Sequence, residues 1–231
     1  MVEGEFIKRI NRFVAQVNIV KDGKQEEVNV HVANTGRMRE LLVPGAKVKM
    51  AYHPAPKRKT DYTLLLVNYH GHWVCIHASM ANDLAFEYLS VRPEISDLKR
   101  EVTYQHSRFD LSFKKDGVPY LCEVKSANLV VDKTAMFPDA PTERGCKHLK
   151  ELMCAQREGY GAAVLFIVQR DDAAVFMPNV QTDPAFAALL KQAGAAGVDV
   201  RALKCEIKED TIRVTSEIPV MFNTDMTTED E

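Results

Sequence analysis

Residues 108–125 read RFDLSFKKDGVPYLCEVK, and how this stretch folds decides the architecture of the second half of the chain. Apolar and polar residues alternate on either side of Asp116-Gly117, the commonest two-residue hairpin signal. A hairpin closed there sets Asp110 directly opposite Glu123. With a side-chain period of two, Phe109, Leu111, Phe113, Tyr120, Cys122 and Val124 share an apolar face, and Arg108, Asp110, Ser112, Leu121, Glu123 and Lys125 share the other. Opposed β-carbons lie about 4.5–5.5 Å apart, and like charges at that distance repel. The register therefore calls for a raised pKa, a neighbouring cation or a bound metal. In the absence of metal, one carboxyl is expected to hold its proton, and Glu123→Gln is expected to raise stability or leave it unchanged.

Outward from the hairpin, helices and strands alternate. The segment NDLAFEYLSVRPE predicts a helix over 82–90, stopped by Pro93. A loop runs through TAMFPDAPTERG, followed by a helix to about 158. Then come the strand AAVLFIVQ, a short strand near 174–177, the helix DPAFAALLKQAG and a strand at 198–206. This order implies a mixed sheet with helices on both faces. The first third reads differently. Phe13, Ala15, Val17 and Ile19 alternate, Asp22-Gly23 turns the chain, and Val28, Val30 and Val32 return, pairing Val17 with Val28 and Phe13 with Val32. After HVANTGRMRELLVPG, read as a turn and a short helix, strands follow near 46–51, 62–68 and 72–78. Five short strands suggest a small barrel, of which the OB-fold is a common nucleic-acid-binding form. The boundary falls near 79–83, giving domains at 1–80 and 81–231.

The 231 residues carry a formal net charge of −2, with a pI near 6.4, so no global positive field draws the chain to polynucleotide. Local basic groups remain: Arg37 and Arg39 after a Gly-containing turn, and the run Lys57-Arg58-Lys59. Five cysteines, odd in number and without CxxC spacing, indicate neither a zinc site nor a disulfide framework. The start lacks a signal-peptide apolar region, and the longest strongly apolar run, AAVLFIV, is too short to span a bilayer. A cytoplasmic protein without membrane partners is expected.

Two carboxylates and a lysine brought together on a covered sheet are costly to bury unless they line a cleft or hold a cation. The chemistry that uses such a trio is metal-assisted phosphodiester hydrolysis, in which carboxylates fix Mg²⁺ or Mn²⁺ and an ammonium steadies phosphate charge. Asp110, twelve intervening residues and Glu123-Val124-Lys125 resemble the PD-(D/E)xK nuclease signature, with Phe109 in place of its Pro. The blocks HVANTGRMRELLVPG, KRKTDYTLLLV, RFDLSF, EVKSANLV, FPDAPTERGCKHLKEL and VLFIVQRDD resemble those of the sugar fermentation stimulation protein A (SfsA) family, over about residues 3–221. The resemblance implies an N-terminal OB-fold followed by a restriction-endonuclease-like α/β domain, DNA binding and a divalent-metal-dependent nuclease. The alternative is a DNA-binding regulator of sugar (maltose) metabolism that does not cleave.

Within that frame Asp110, Glu123 and Lys125 are the expected catalytic residues. Glu87, on the helix at 82–90, resembles a third metal-directed acid. Arg144, Lys147, His148 and Glu151 fall at helical spacing on one side, with Arg144 and Lys147 as a phosphate clamp. Arg170 closes a strand beside the site, where phosphate contact is expected. Together with Arg37, Arg39 and Lys57–Lys59, these would hold DNA, or RNA. Homodimer formation is left open.

Overall fold

The computed structural model describes residues 1–54, 59–208 and 211–222, so Lys57 and Arg58 lie outside the described residues. The first domain is a closed barrel built from β1 (Val2–Asn11), β2 (Val14–Lys21), β3 (Lys24–Val32), β4 (Lys47–Tyr52) and β5 (Tyr62–Tyr69), with β6 (His72–Cys75) extending β5 as a hairpin. The strands run β3-β2-β1-β4-β5-β6, and a parallel β3–β5 pairing closes the ring in the OB manner. Val17 pairs with Val28, and Val32 N donates to Phe13 O at 2.8 Å, as the hairpin pattern predicts. Phe6, Val17, Val30, Val48, Leu64 and Val74 are among the residues that fill the interior.

The membership of the barrel differs from the sequence reading in two respects. Its first strand, β1, which lies between β2 and β4, is not announced by the alternation, because only Phe6 within it is buried. Gly4 crosses β2 so closely that an added Cβ would stand 2.6 Å from Val17 Cγ1 and 2.7 Å from Asn18 O. The short helix expected after residue 31 is a single turn, in which Leu41 N and Leu42 N both donate to Met38 O.

The second domain contains α1 (Met80–Ser90), β7 (Ile95–Tyr104), β8 (Ser107–Lys115), β9 (Val118–Ala127), β10 (Leu129–Val131), β11 (Thr134–Phe137), α2 (Glu143–Arg157), β12 (Gly161–Val168), β13 (Val175–Pro178), α3 (Pro184–Ala195), β14 (Asp199–Lys208) and β15 (Thr211–Ile218). Its main sheet runs β15-β14-β12-β9-β8-β7; β12 is parallel to β9 and β14, and the outer pairs are antiparallel. Strand β12 is buried almost along its whole length, as a central parallel strand covered on both faces must be. Helix α1 packs Leu84, Ala85 and Leu89 with Leu111, Cys122 and Val124 on one face. Helices α2 and α3 bring Leu149, Leu152, Phe186 and Leu190 to Leu121, Val164 and Phe166 on the other. Thr142 caps α2 by accepting from Gly145 N, and Asp183 caps α3 by accepting from Phe186 N, with Pro184 at the start.

The decisive hairpin folds at Asp116-Gly117 with the expected register, from Lys115 opposite Val118 to Leu111 opposite Cys122. Above Leu111 the ladder stops. There Asp110 Oδ2 accepts the Val124 N–H at 2.9 Å, and Phe109 leaves the face it was assigned. It packs with Leu121 in the α2-side core, while Leu111 and Phe113 stay in the α1-side core. A backbone hydrogen bond joins the two domains, with Cys75 N donating to Gln169 O at 3.0 Å. Among the described residues no helix is long and apolar enough to cross a membrane.

Candidate active site between the domains

Asp110, Glu123 and Lys125 converge in a cleft of about 440 Å³. The second domain supplies its floor, and Asn34, Thr35 and Gly36 of the barrel supply a facing wall. Asp110 is supported from α1, where Asn82 Nδ2 donates to its Oδ1 at 2.9 Å. Glu123 is 3% exposed. Its Oε1 lies 2.5 Å from Lys125 Nζ and 2.5 Å from His148 Nδ1 on α2. The Lys125 contact is an aligned hydrogen bond, whereas His148 Nδ1 is close without hydrogen-bond alignment. Glu123 Oε2 is buried and has no hydrogen-bond partner.

These surroundings drive the two carboxyls apart. Burial, and next the charge of Glu123, push Asp110 above the ordinary carboxyl range, against the pull of Val124 N–H, Asn82 and Lys125. Burial also acts to raise Glu123, but His148 and Lys125 outweigh it and hold that carboxyl below its usual value. The consequences for stability have opposite signs. A raised carboxyl stabilises the fold below its unfolded pKa, and that contribution is lost as pH rises through the folded value. A lowered one stabilises above its unfolded pKa and loses that contribution as pH falls. In chelator at neutral pH, Asp110→Asn is therefore expected to keep or raise the melting temperature and Glu123→Gln to lower it. The second outcome reverses the sequence-based expectation, because Glu123 is the carboxylate that accepts from the Lys125 ammonium. Thermal melts from acid to neutral pH measure both; a Glu123→Gln protein more stable than wild type would refute the assignment.

The remaining candidates separate clearly. Arg144 is exposed and lines the cleft, with its Nε 3.5 Å from His148 Nε2. Lys147 is not among the cleft residues; its Nζ donates to His106 O at 3.2 Å and lies 3.7 Å from Glu151. Glu87 is exposed on α1 and is not brought to the cleft, where Asn82 faces Asp110 in its stead. Arg37 and Arg39 line an adjoining groove. Lys59 is exposed beside Lys21 and Tyr62, in a depression that shares no residue with the cleft.

The expectation that Arg170 reaches phosphate is overturned. Arg170 is 0% exposed. Its Nε and Nη2 each donate to Asp172 at 2.6 Å, and its Nη1 donates to Asn128 O at 2.9 Å. The guanidinium sits 5.0 Å from the centre of the Tyr69 ring, at the domain junction. The sequence analysis does not single out Asn82 or Asp139 as site residues, and it places His148 only in the clamp group on α2, not beside Glu123. Asp139 Oδ2 accepts the Arg37 N–H at 2.7 Å and so ties the barrel loop to the cleft.

Comparison with known proteins agrees with this two-domain fold. Residues 7–76 match the family model of the SfsA N-terminal OB domain, and residues 77–211 match that of the sugar fermentation stimulation protein RE domain. The sugar fermentation stimulation protein homolog of Acetivibrio thermocellus is 43% identical over 230 residues, covering 96% of this chain and 97% of that one. That of Desulforamulus reducens is 44% identical over 229 residues, covering 96% and 93%. The solved structure of Pyrococcus furiosus SfsA in complex with Ca²⁺ superposes with a TM-score of 0.83 at 32% identity, covering 95% of each chain. The chain thus belongs to the sugar fermentation stimulation protein (SfsA) family, with an OB barrel followed by a mixed-sheet α/β domain.

Proposed function

We propose that this protein binds nucleic acid and hydrolyses its phosphodiester bonds with a divalent cation, Mg²⁺ or Mn²⁺, held by Asp110 and Glu123. The observation that carries this reading is the junction of Asp110, Glu123 and Lys125 in a cleft whose mouth bears Arg144. The donor set fits a hard cation. Glu123 Oε2 is a buried carboxylate oxygen without a partner, a costly arrangement that a cation would relieve. Among the described residues no three His, Cys, Asp or Glu side chains form a ready-made metal cluster. Mg²⁺ ordinarily takes only one or two carboxylates and completes its shell with water and substrate phosphate. The related Pyrococcus furiosus protein, solved in complex with Ca²⁺, supports an oxygen-ligand site in this fold.

When bound, the cation would polarise the phosphate and ease deprotonation of a coordinated water. The protein groups do the positioning. Asn82 and the Val124 N–H hold Asp110, while Lys125 and His148 orient Glu123. The Lys125 ammonium, whose side chain is 16% exposed, offers its charge to phosphate oxygens as negative charge develops there. Arg144 supplies a further positive charge for an adjacent phosphate. Incubating the purified protein with end-labelled single- and double-stranded DNA and RNA tests the reading. Fragments that appear with Mg²⁺ or Mn²⁺ and vanish with chelator are expected. Binding without cleavage under all conditions would leave a DNA-binding regulator.

A further inference from the structure

We propose that the substrate of this site is a single polynucleotide strand, threaded between the domains along an arginine groove, with the exposed Phe13, next to Arg12 in the chain, as a base-stacking platform. The inference rests on the hydrolase reading above and specifies its substrate.

The reacting groups are recessed. Glu123 is 3% exposed, and the cleft above it is narrowed by barrel residues 34–36 on one side and by Phe137–Thr142 on the other. A volume of about 440 Å³ lies in the range of small-ligand sites, commonly about 300–1,000 Å³. Such a space accepts a nucleotide. A duplex is a stiff rod, with a persistence length of about 150 base pairs, and it cannot send one backbone between two walls without separating its strands. A single strand turns at each nucleotide and has no such restriction.

The cleft also continues in one direction. Through Thr35, Gly36, Ala140 and Pro141 it opens into a groove of about 710 Å³ that also includes Arg9, Arg12, Arg37 and Arg39. No acidic side chain lines this groove among the described residues. Arg9 is occupied with structure: its guanidinium donates to the carbonyls of Asn11, Arg12, Asn34, Gly36 and Arg37, pinning the loop that forms the cleft wall. Arg12, Arg37 and Arg39 are exposed and have no ion-pair partner among the described residues, which leaves them available to a phosphate chain. In a protein of net charge −2, such a row is a local field for an anionic polymer. Beside Arg12, at the β1–β2 turn, Phe13 is 50% exposed. A basic groove with an exposed aromatic ring is how single strands are held without sequence preference, because every base has a face to stack.

Fluorescence anisotropy of the full-length protein in chelator tests the proposal. The probes are labelled mixed-sequence DNA and RNA oligonucleotides, each as a single strand and as the annealed duplex. The single strand of at least one chemistry is expected to bind about tenfold or more tightly than its duplex, with an affinity that falls steeply with salt. Arg12→Glu combined with Arg37→Glu is expected to lower single-strand affinity at least about tenfold and to flatten the salt slope. Phe13→Ala is expected to lower it at least about fivefold. All three side chains are exposed, so the variants should melt like wild type. Duplex binding equal to or tighter than single-strand binding, or single-strand binding indifferent to these variants, would overturn the threading and leave the hydrolase reading standing. No binding to any probe would overturn both.

Discussion

Replacing Asp110 with alanine is expected to cut metal-dependent phosphodiester cleavage by about 10³-fold or more, since it removes one of two protein carboxylates for the cation. Nucleic-acid binding should stay within a few-fold of wild type. Lys125→Ala is expected to cost about 10²–10³-fold, the usual loss when one preorganised group facing developing charge is deleted. Asp110 also accepts from Asn82 and from the Val124 N–H, so alanine leaves a main-chain donor unpaired. Asp110→Asn supplies the control that retains an acceptor while losing the charge. Glu87→Ala should cleave at the wild-type rate, because Glu87 is exposed outside the cleft. Initial rates on an end-labelled oligonucleotide at saturating Mg²⁺ decide the matter, and a fully active Asp110→Ala protein would eliminate this site.

The largest effect on stability is expected from Asp172→Ala. Asp172 holds Arg170 through two hydrogen bonds of 2.6 Å, and Arg170 is 0% exposed. Deleting one partner strands a buried charge, typically at about 3–5 kcal/mol. For a chain of this size that corresponds to roughly 10 °C in Tm. Arg170→Met should cost less, because the remaining carboxylate has a side chain 20% exposed and can be hydrated. Burial alone would raise Asp172, but Arg170 outweighs it and holds the carboxyl below its ordinary value. The pair therefore contributes above the unfolded pKa of Asp172 and weakens as pH falls through the lowered one. Thermal melts of the two variants measure the asymmetry; equal losses would show that desolvation of Arg170 is not the controlling cost.

Much of this arrangement was legible because it is local. The Asp116-Gly117 turn and the alternation beside it carried the register as far as Leu111 and Cys122, short of the expected Asp110–Glu123 pair, and the E-x-K spacing picked out three residues that line the cleft. The apolar block of β12 and the helical segments on either side of it carried the layers. The unread parts depend on contacts distant in sequence. Strand β1 reads weakly because Gly4 and exposed side chains break its pattern, although closing the barrel requires it. Strand β7 lies at an edge with positive φ at Asp97 and Glu101, which interrupts alternation. Phe109 changes faces because a side chain, rather than the backbone, takes the Val124 N–H. Arg170 sits next to Asp171 and Asp172 in sequence and could be taken for a surface arginine. Only the junction with Tyr69 and Asn128 shows why it is buried.

The loop at residues 34–37 belongs to the barrel along the chain but serves the second domain in space. Arg9 fastens it from one side and Asp139 from the other, and Gly36 lies so close to the Asp139 carboxylate that a side chain there would have to displace it. The two domains are consequently not interchangeable modules. A different OB barrel grafted onto this α/β domain would bring a ligand-binding surface but no wall for the cleft, and the α/β domain by itself would lack the wall that residues 34–36 set against its carboxylates. Descent with both halves together, as in the relatives that match over nearly the full length, is what such shared architecture requires.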